Sequence, residues 1–140
     1  MKPHILLDTG PLVAFLHAGD KHHEWAREQF SQLEAPLLTC EAVIAESCHL
    51  LRKIPNAQHR VLELIQRGSV QIALSLQKEN MAIARLLVRY KDRPASLADA
   101  CLIRLCEIND PSIVLTLDSD FFVYRRLGRQ TIPVIHPNET

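Results

Sequence analysis

Short continuous apolar runs alternate along this chain with longer stretches in which apolar residues recur every three or four positions. The runs "HILL", "APLLT", "SVQIALS", "SIVLTL" and "IPVIH" predict buried strands. Between them the pattern predicts helices. One starts at Gly10-Pro11, since proline suits the first helical turn. "DKHHEWAREQFSQL" follows, with Asp20 as its N-cap. "CEAVIAESCHLLRKI" is stopped by Pro55, and "NAQHRVLELIQRG" is closed by Gly68. "QKENMAIARLLVRY" and "ASLADACLIRLCEIN" flank a "KDRP" linker, and "DSDFFVYRRLG" reads as a short helix or turn. Strands alternating with helices predict an α/β fold with a mainly parallel sheet covered on both faces. No repeat or low-complexity stretch interrupts residues 1–140, which read as one domain.

Acids stand out against this pattern. Asp8 closes the first strand and Asp118 the fourth. In parallel sheets ligands bind outside the carboxyl ends of strands. Glu46 has Ala42, Val43, His49 and Leu50 as its neighbours on a helix, so it faces inward or toward a cleft edge. Asp99 has Leu102, Ile103 and Cys106 on its side. Local structure offers a competing account for each. Asp8 and Asp118 suit N-caps, and "SLAD" matches a capping box on Asp99. As independent accidents, four acids at strand ends and inner helix faces are a poor explanation. Asp120 is a further candidate, and Asp92 reads as a solvated loop acid. Clustered carboxylates either raise their own pKa values or recruit a cation. Oxygen donors without histidine or thiolate companions suit Mg²⁺ or Mn²⁺, whose waters serve phosphodiester hydrolysis.

Composition narrows the partners. Lys+Arg 16 balance Asp+Glu 16, so a nucleic acid must be held by a local basic patch. Arg89, Lys91 and Arg93 precede the Asp99 helix, while Arg125, Arg126 and Arg129 follow the last acids. Of these, Arg93, Arg125 and Arg126 are the candidate RNA contacts. Tyr124 reads as a packing residue rather than a base platform, and His22 and His23 as surface histidines. Cys40, Cys48, Cys101 and Cys106 form no C-x-x-C pair and read as free thiols. No apolar run nears the ~20 residues of a membrane span, and no leader precedes "HILL", which gives a cytoplasmic expectation.

Taken together, "LLDTGPLVAFL", "TCEAVIAESCHLL", "SLADACLIRLCE" and "VLTLDSDF" resemble the PIN-domain nucleases. The closest flavour is the VapC-like ribonuclease toxins of type II toxin–antitoxin pairs. The resemblance covers nearly the whole chain, in order and at matching spacing. It implies a three-layer α/β/α sandwich. It places the family's catalytic and metal-binding acids on Asp8, Glu46, Asp99 and Asp118, with Asp120 as an accessory acid and Thr116 as the hydroxyl that orients a carboxylate. It further implies Mg²⁺- or Mn²⁺-dependent endoribonuclease activity on RNA, a homodimer, and a cognate antitoxin. The alternatives are an orphan or housekeeping nuclease, or a catalytically silent module that binds RNA or protein. A haloacid-dehalogenase-like phosphatase would need a second aspartate at position 10, where the chain has Gly10.

Overall fold

The first strand, β1 (His4–Leu7), is short, and after His4 it is buried throughout. It sits at the centre of a parallel sheet. In the computed structural model, which describes residues 1–138, the chain continues through α1 (Thr9–Leu16), α2 (His23–Gln32), β2 (Leu37–Thr39), α3 (Glu41–Leu50), α4 (Ala57–Gln66), β3 (Val70–Ile72), α5 (Leu76–Arg89), α6 (Leu97–Ile108) and β4 (Ser112–Leu115). A 3-10 turn (Ser119–Phe122), β5 (Arg125–Arg126), β6 (Gln130–Thr131) and β7 (Val134–Ile135) complete it.

The sheet order is β3-β2-β1-β4-β7, with every pairing parallel. The chain therefore starts in the middle, winds outward through β2 and β3, then returns to the other side of β1 for β4 and β7. The reversal lies between β1 and β4, where Leu7 pairs with Leu115. Strand alternation sorts side chains to two faces. Leu6, Leu38 and Val114 pack under α5 and α6, while Ile5, Leu7, Leu37 and Leu115 pack under α1 and α4. Each helix layer thus has its own apolar seam, and the sandwich has three layers. No helix among the described residues is long and apolar enough to cross a membrane.

Three expectations need correction. Helix α2 begins at His23, because Asp20 instead closes a turn by accepting the His22 N–H at 2.8 Å. The segment after Asp118 is more than a turn: Arg125 and Arg126 pair antiparallel with Thr131 and Gln130. Arg126 is buried inside that hairpin's base rather than offered to a ligand. Its guanidinium donates to Gln130 Oε1 at 2.6 Å and to the carbonyls of Cys106 and Glu107 at 3.2 and 3.4 Å. Neither hairpin strand is long enough to show a period of two, so nothing in the apolar pattern announced it.

Candidate active site

The reversal point of the sheet is lined by acids. Asp8, Glu46, Asp99 and Asp118 face one open cleft of about 270 Å³, together with Thr9, Gly10, Leu50 and Leu117. Each acid arrives on a different element, and local hydrogen bonding fixes three of them. Asp8 follows β1 and caps α1, its Oδ1 accepting the Thr9 N–H at 2.8 Å. The Thr116 hydroxyl, beyond β4, donates to Asp8 Oδ2 at 2.6 Å. The same hydroxyl oxygen accepts the Asp118 N–H at 2.9 Å. Asp118 Oδ1 in turn accepts the Asp120 N–H at 2.9 Å, starting the 3-10 turn. Thr116 therefore couples the two strand-end acids.

Asp99 sits in the first turn of α6, inside a complete capping box. Its Oδ2 accepts the Ser96 N–H at 3.0 Å, and Ser96 Oγ accepts the Asp99 N–H at 3.0 Å. The Tyr124 hydroxyl also donates to Asp99 Oδ2 at 3.3 Å. Capping and convergence are thus one arrangement here: the caps hold the acids in place. Asp99 Oδ1 and Asp118 Oδ2 keep no hydrogen-bond partner among the described residues. Glu46 is exposed at the cleft edge, so only the cleft-edge half of its expected setting is realised.

The cleft carries uncompensated negative charge. Burial pushes the Asp8 carboxyl up to about 7, against the lowering bonds from Thr116 and Thr9, and the charges of Asp99 and Asp118 add to the rise. Asp118 is also raised, first by burial and then by Asp120 and Asp99, with His136 opposing. Burial and Asp99 raise the Tyr124 phenol, which therefore stays a donor to Asp99. No basic side chain lines the cleft among the described residues. An all-oxygen donor set with excess negative charge fits a hard divalent cation. The four acids are not drawn into a ready cage, however, since no three His, Cys, Asp or Glu among the described residues form a set that holds an ion as they stand. Thr9 adds a buried hydroxyl without a partner beside Asp8.

The other expected residues fall as follows. Thr116 is fully buried and bonded as described. Asp120 lies outside the lining and is held by Arg93, Nη1 to Oδ1 2.7 Å. Asp92 is exposed. Arg125 folds back, its Nη1 donating to the carbonyls of Phe122, Val123 and Tyr124. That ties one nitrogen of its guanidinium to the backbone. The sequence reading missed Tyr124, whose packing role is real (it lies edge-on to Phe121 and Tyr90) but whose hydroxyl also steadies Asp99. It missed His136 as well, buried and bonded through Nε2 to the Leu117 carbonyl at 3.2 Å. Neither carries a local signal, because both act through partners remote in sequence.

The acids gather at the reversal point of an all-parallel sheet, the carboxyl-edge position where open α/β sheets bind ligands. Residues 5–127 match the PIN domain, and the chain belongs to the PIN-domain family. It is 27% identical over 134 residues to Ribonuclease VapC26 of Mycobacterium tuberculosis, covering 94% of this chain and 99% of that protein. Its fold matches the crystal structure of Mycobacterium tuberculosis VapC20, described as a sarcin–ricin loop cleaving toxin. That match has a TM-score of 0.69 at 22% identity and covers 83% of this chain and 91% of the other.

Proposed function

We propose that this chain is an endoribonuclease that hydrolyses RNA phosphodiester bonds with Mg²⁺ or Mn²⁺, and that it is the toxin of a toxin–antitoxin pair. One observation carries the reading: Asp8, Glu46, Asp99 and Asp118 converge at the reversal of a PIN-domain sheet, with Asp8 buried among like charges. The name of the VapC26 relative supports ribonuclease as the activity. The toxin described for the VapC20 fold match supports the wider role.

Asp8, Asp99 and Asp118 are the residues that would hold the cation, with water completing an open shell. A bound divalent cation would stabilise charge developing on the phosphate and lower the pKa of a water nucleophile. The protein's own part is orientation. Thr116 fixes Asp8 Oδ2 and the backbone N–H of Asp118 at the two strand ends, and Ser96 with Tyr124 turns Asp99 so that Oδ1 faces no competing donor. Glu46, exposed at the rim, orients or deprotonates the attacking water. Asp120 acts at one remove, holding Arg93 beside the cleft. The whole chain works as one PIN-like unit in the cytoplasm, as a homodimer restrained by a cognate antitoxin.

Incubation of purified protein with a mixed RNA pool, with Mg²⁺, Mn²⁺ or EDTA, tests the reading. Internal cleavage that needs the cation and disappears in Asp8→Asn and Asp99→Asn is the expected result. RNA left intact under every cation would overturn it.

A further inference from the structure

The balanced charge of the chain raises the question of what holds RNA to an acidic cleft. Arg126 is buried, Arg125 is turned to carbonyls and Arg93 is paired with Asp120. A different group of arginines is assembled behind Arg93. Arg85, Arg89 and Arg104 line a pocket of about 390 Å³ between α5, α6 and the turn of the β5–β6 hairpin.

The walls of this pocket are fixed. Arg104 donates to Glu79 at 2.7 Å and Glu107 at 3.2 Å. Glu107 Oε2 also accepts the Leu127 N–H at 2.8 Å, pinning one side of the hairpin turn. Arg89 pins the other side by donating to the Gly128 carbonyl. Gly128 has φ +81, a conformation that glycine adopts without strain. Arg85 makes no ion pair and no side-chain hydrogen bond among the described residues, and it is exposed. The count leaves a positive excess: three arginines against Glu79 and Glu107, with Arg89 satisfied only by a neutral carbonyl.

The position of the pocket suits a strand leaving the cleft. Helices α5 and α6 are joined by the short loop that carries Arg93. Arg89 is followed by Tyr90, which lies edge-on to Tyr124, whose hydroxyl reaches Asp99, so the pocket adjoins the Asp99 side of the cleft. Arg85 and Arg89 are one turn apart on α5, so their head groups fall on one side, about 6 Å apart along the axis.

We infer that the pocket of Arg85, Arg89 and Arg104 is a subsite for a backbone phosphate of the RNA, beyond the Asp99 side of the cleft. The inference rests on the ribonuclease reading above. That reading makes the ligand a phosphate. Arg85 and Arg89 present two guanidinium groups from one side of a helix, which suits the two non-bridging oxygens of a phosphate diester in an extended strand.

The test uses full-length Asp8→Asn protein in Mg²⁺ and a labelled single-stranded RNA of roughly 15 nucleotides, within the range that such grooves hold. Binding is measured by anisotropy over a series of salt concentrations. Arg85→Gln is expected to weaken binding roughly 3- to 10-fold and to reduce the salt slope by about 0.7, the loss of one phosphate contact. Arg27→Gln, on α2, is the control with unchanged slope. In the Asp8-intact enzyme, Arg85→Gln should raise KM and leave kcat within about twofold. An unchanged slope and affinity in Arg85→Gln overturns the subsite. So does weakened capture of a poly-glutamate peptide with RNA affinity intact, which would make the pocket an acidic-peptide site. Cation-dependent cleavage by the wild-type chain, run in parallel, separates these failures from failure of the ribonuclease reading.

Discussion

At the scale of single residues, Asp8 decides most of the site's behaviour. Its carboxyl is buried and pushed up to about 7 from an ordinary value near 3.8. Folding without a cation therefore favours the protonated acid. The resulting stabilisation is fully present below about pH 4 and is lost as pH rises through 7. Three units correspond to an effect on the order of 4 kcal/mol. Thermal melts in EDTA should show the wild-type chain losing stability between about pH 4 and 7. Asp8→Asn should lose less, and should melt higher than wild type at pH 8 while matching it near pH 4. A variant less stable than wild type at both pH values would mean that the cap to Thr9 and the Thr116 bond outweigh the buried charge. The raised Asp118 works in the same direction.

At the scale of elements, the caps explain why the site was legible. Each of Asp8, Asp99 and Asp118 occupies a capping position that the sequence also offered as a purely structural account, and both accounts describe the same bonds. The strand ends and the capping box are local and leave residue patterns. The β5–β6 hairpin is not local in that sense: its two-residue strands are held by Glu107, Arg89 and the Cys106 carbonyl that Arg126 reaches, all from elsewhere in the chain. Arg126 reads as surface charge for the same reason, since only the fold reveals the carbonyls it serves. Arg126→Ala should therefore cost about 2 kcal/mol in denaturant unfolding through lost charged hydrogen bonds, with RNA affinity of the folded protein unchanged. A Cβ on Gly10 would meet Leu117 Cβ at 3.0 Å. Gly10→Ala gains up to about 1 kcal/mol of helix propensity and spends it on pushing the Leu117–Asp118 segment outward. Its melting temperature should change by only a few degrees, while cleavage falls several-fold.

At the scale of the whole molecule, α2 and α3 expose little apolar surface. Leu51 is fully buried and Phe30 stacks on Phe15 with ring centroids 4.1 Å apart, leaving Leu50 as the large exposed apolar side chain of that face. Trp25 is partly buried against the core. Exposed apolar groups instead extend to Met81 and Val88 on α5 and to Phe122, Val123 and Leu127 near the hairpin. Spread singly over several faces, they mark no one interface, and the proposed homodimer rests on the family resemblance. Light scattering at micromolar concentration should give twice the 15.9 kDa of one chain. A mass of one chain would remove the dimer and leave the cleft chemistry untouched. The strand-and-helix alternation was plain in the sequence, and so were the four acids. The fate of individual arginines was hidden, because charge is read from composition while pairing is set by packing.

The bond between Thr116 and Asp8 spans 108 positions of sequence. The middle strand of the sheet is made before its neighbours, and β4 only after β2 and β3, so β1 waits with one edge open in the meantime. Contacts of such long range slow folding relative to helical bundles of equal size. They also time the appearance of function. Through most of its synthesis the chain holds Asp8 and Glu46 with nothing to gather them beside Asp99 and Asp118. The site is therefore incomplete until residue 118 has been made and has folded back beside β1.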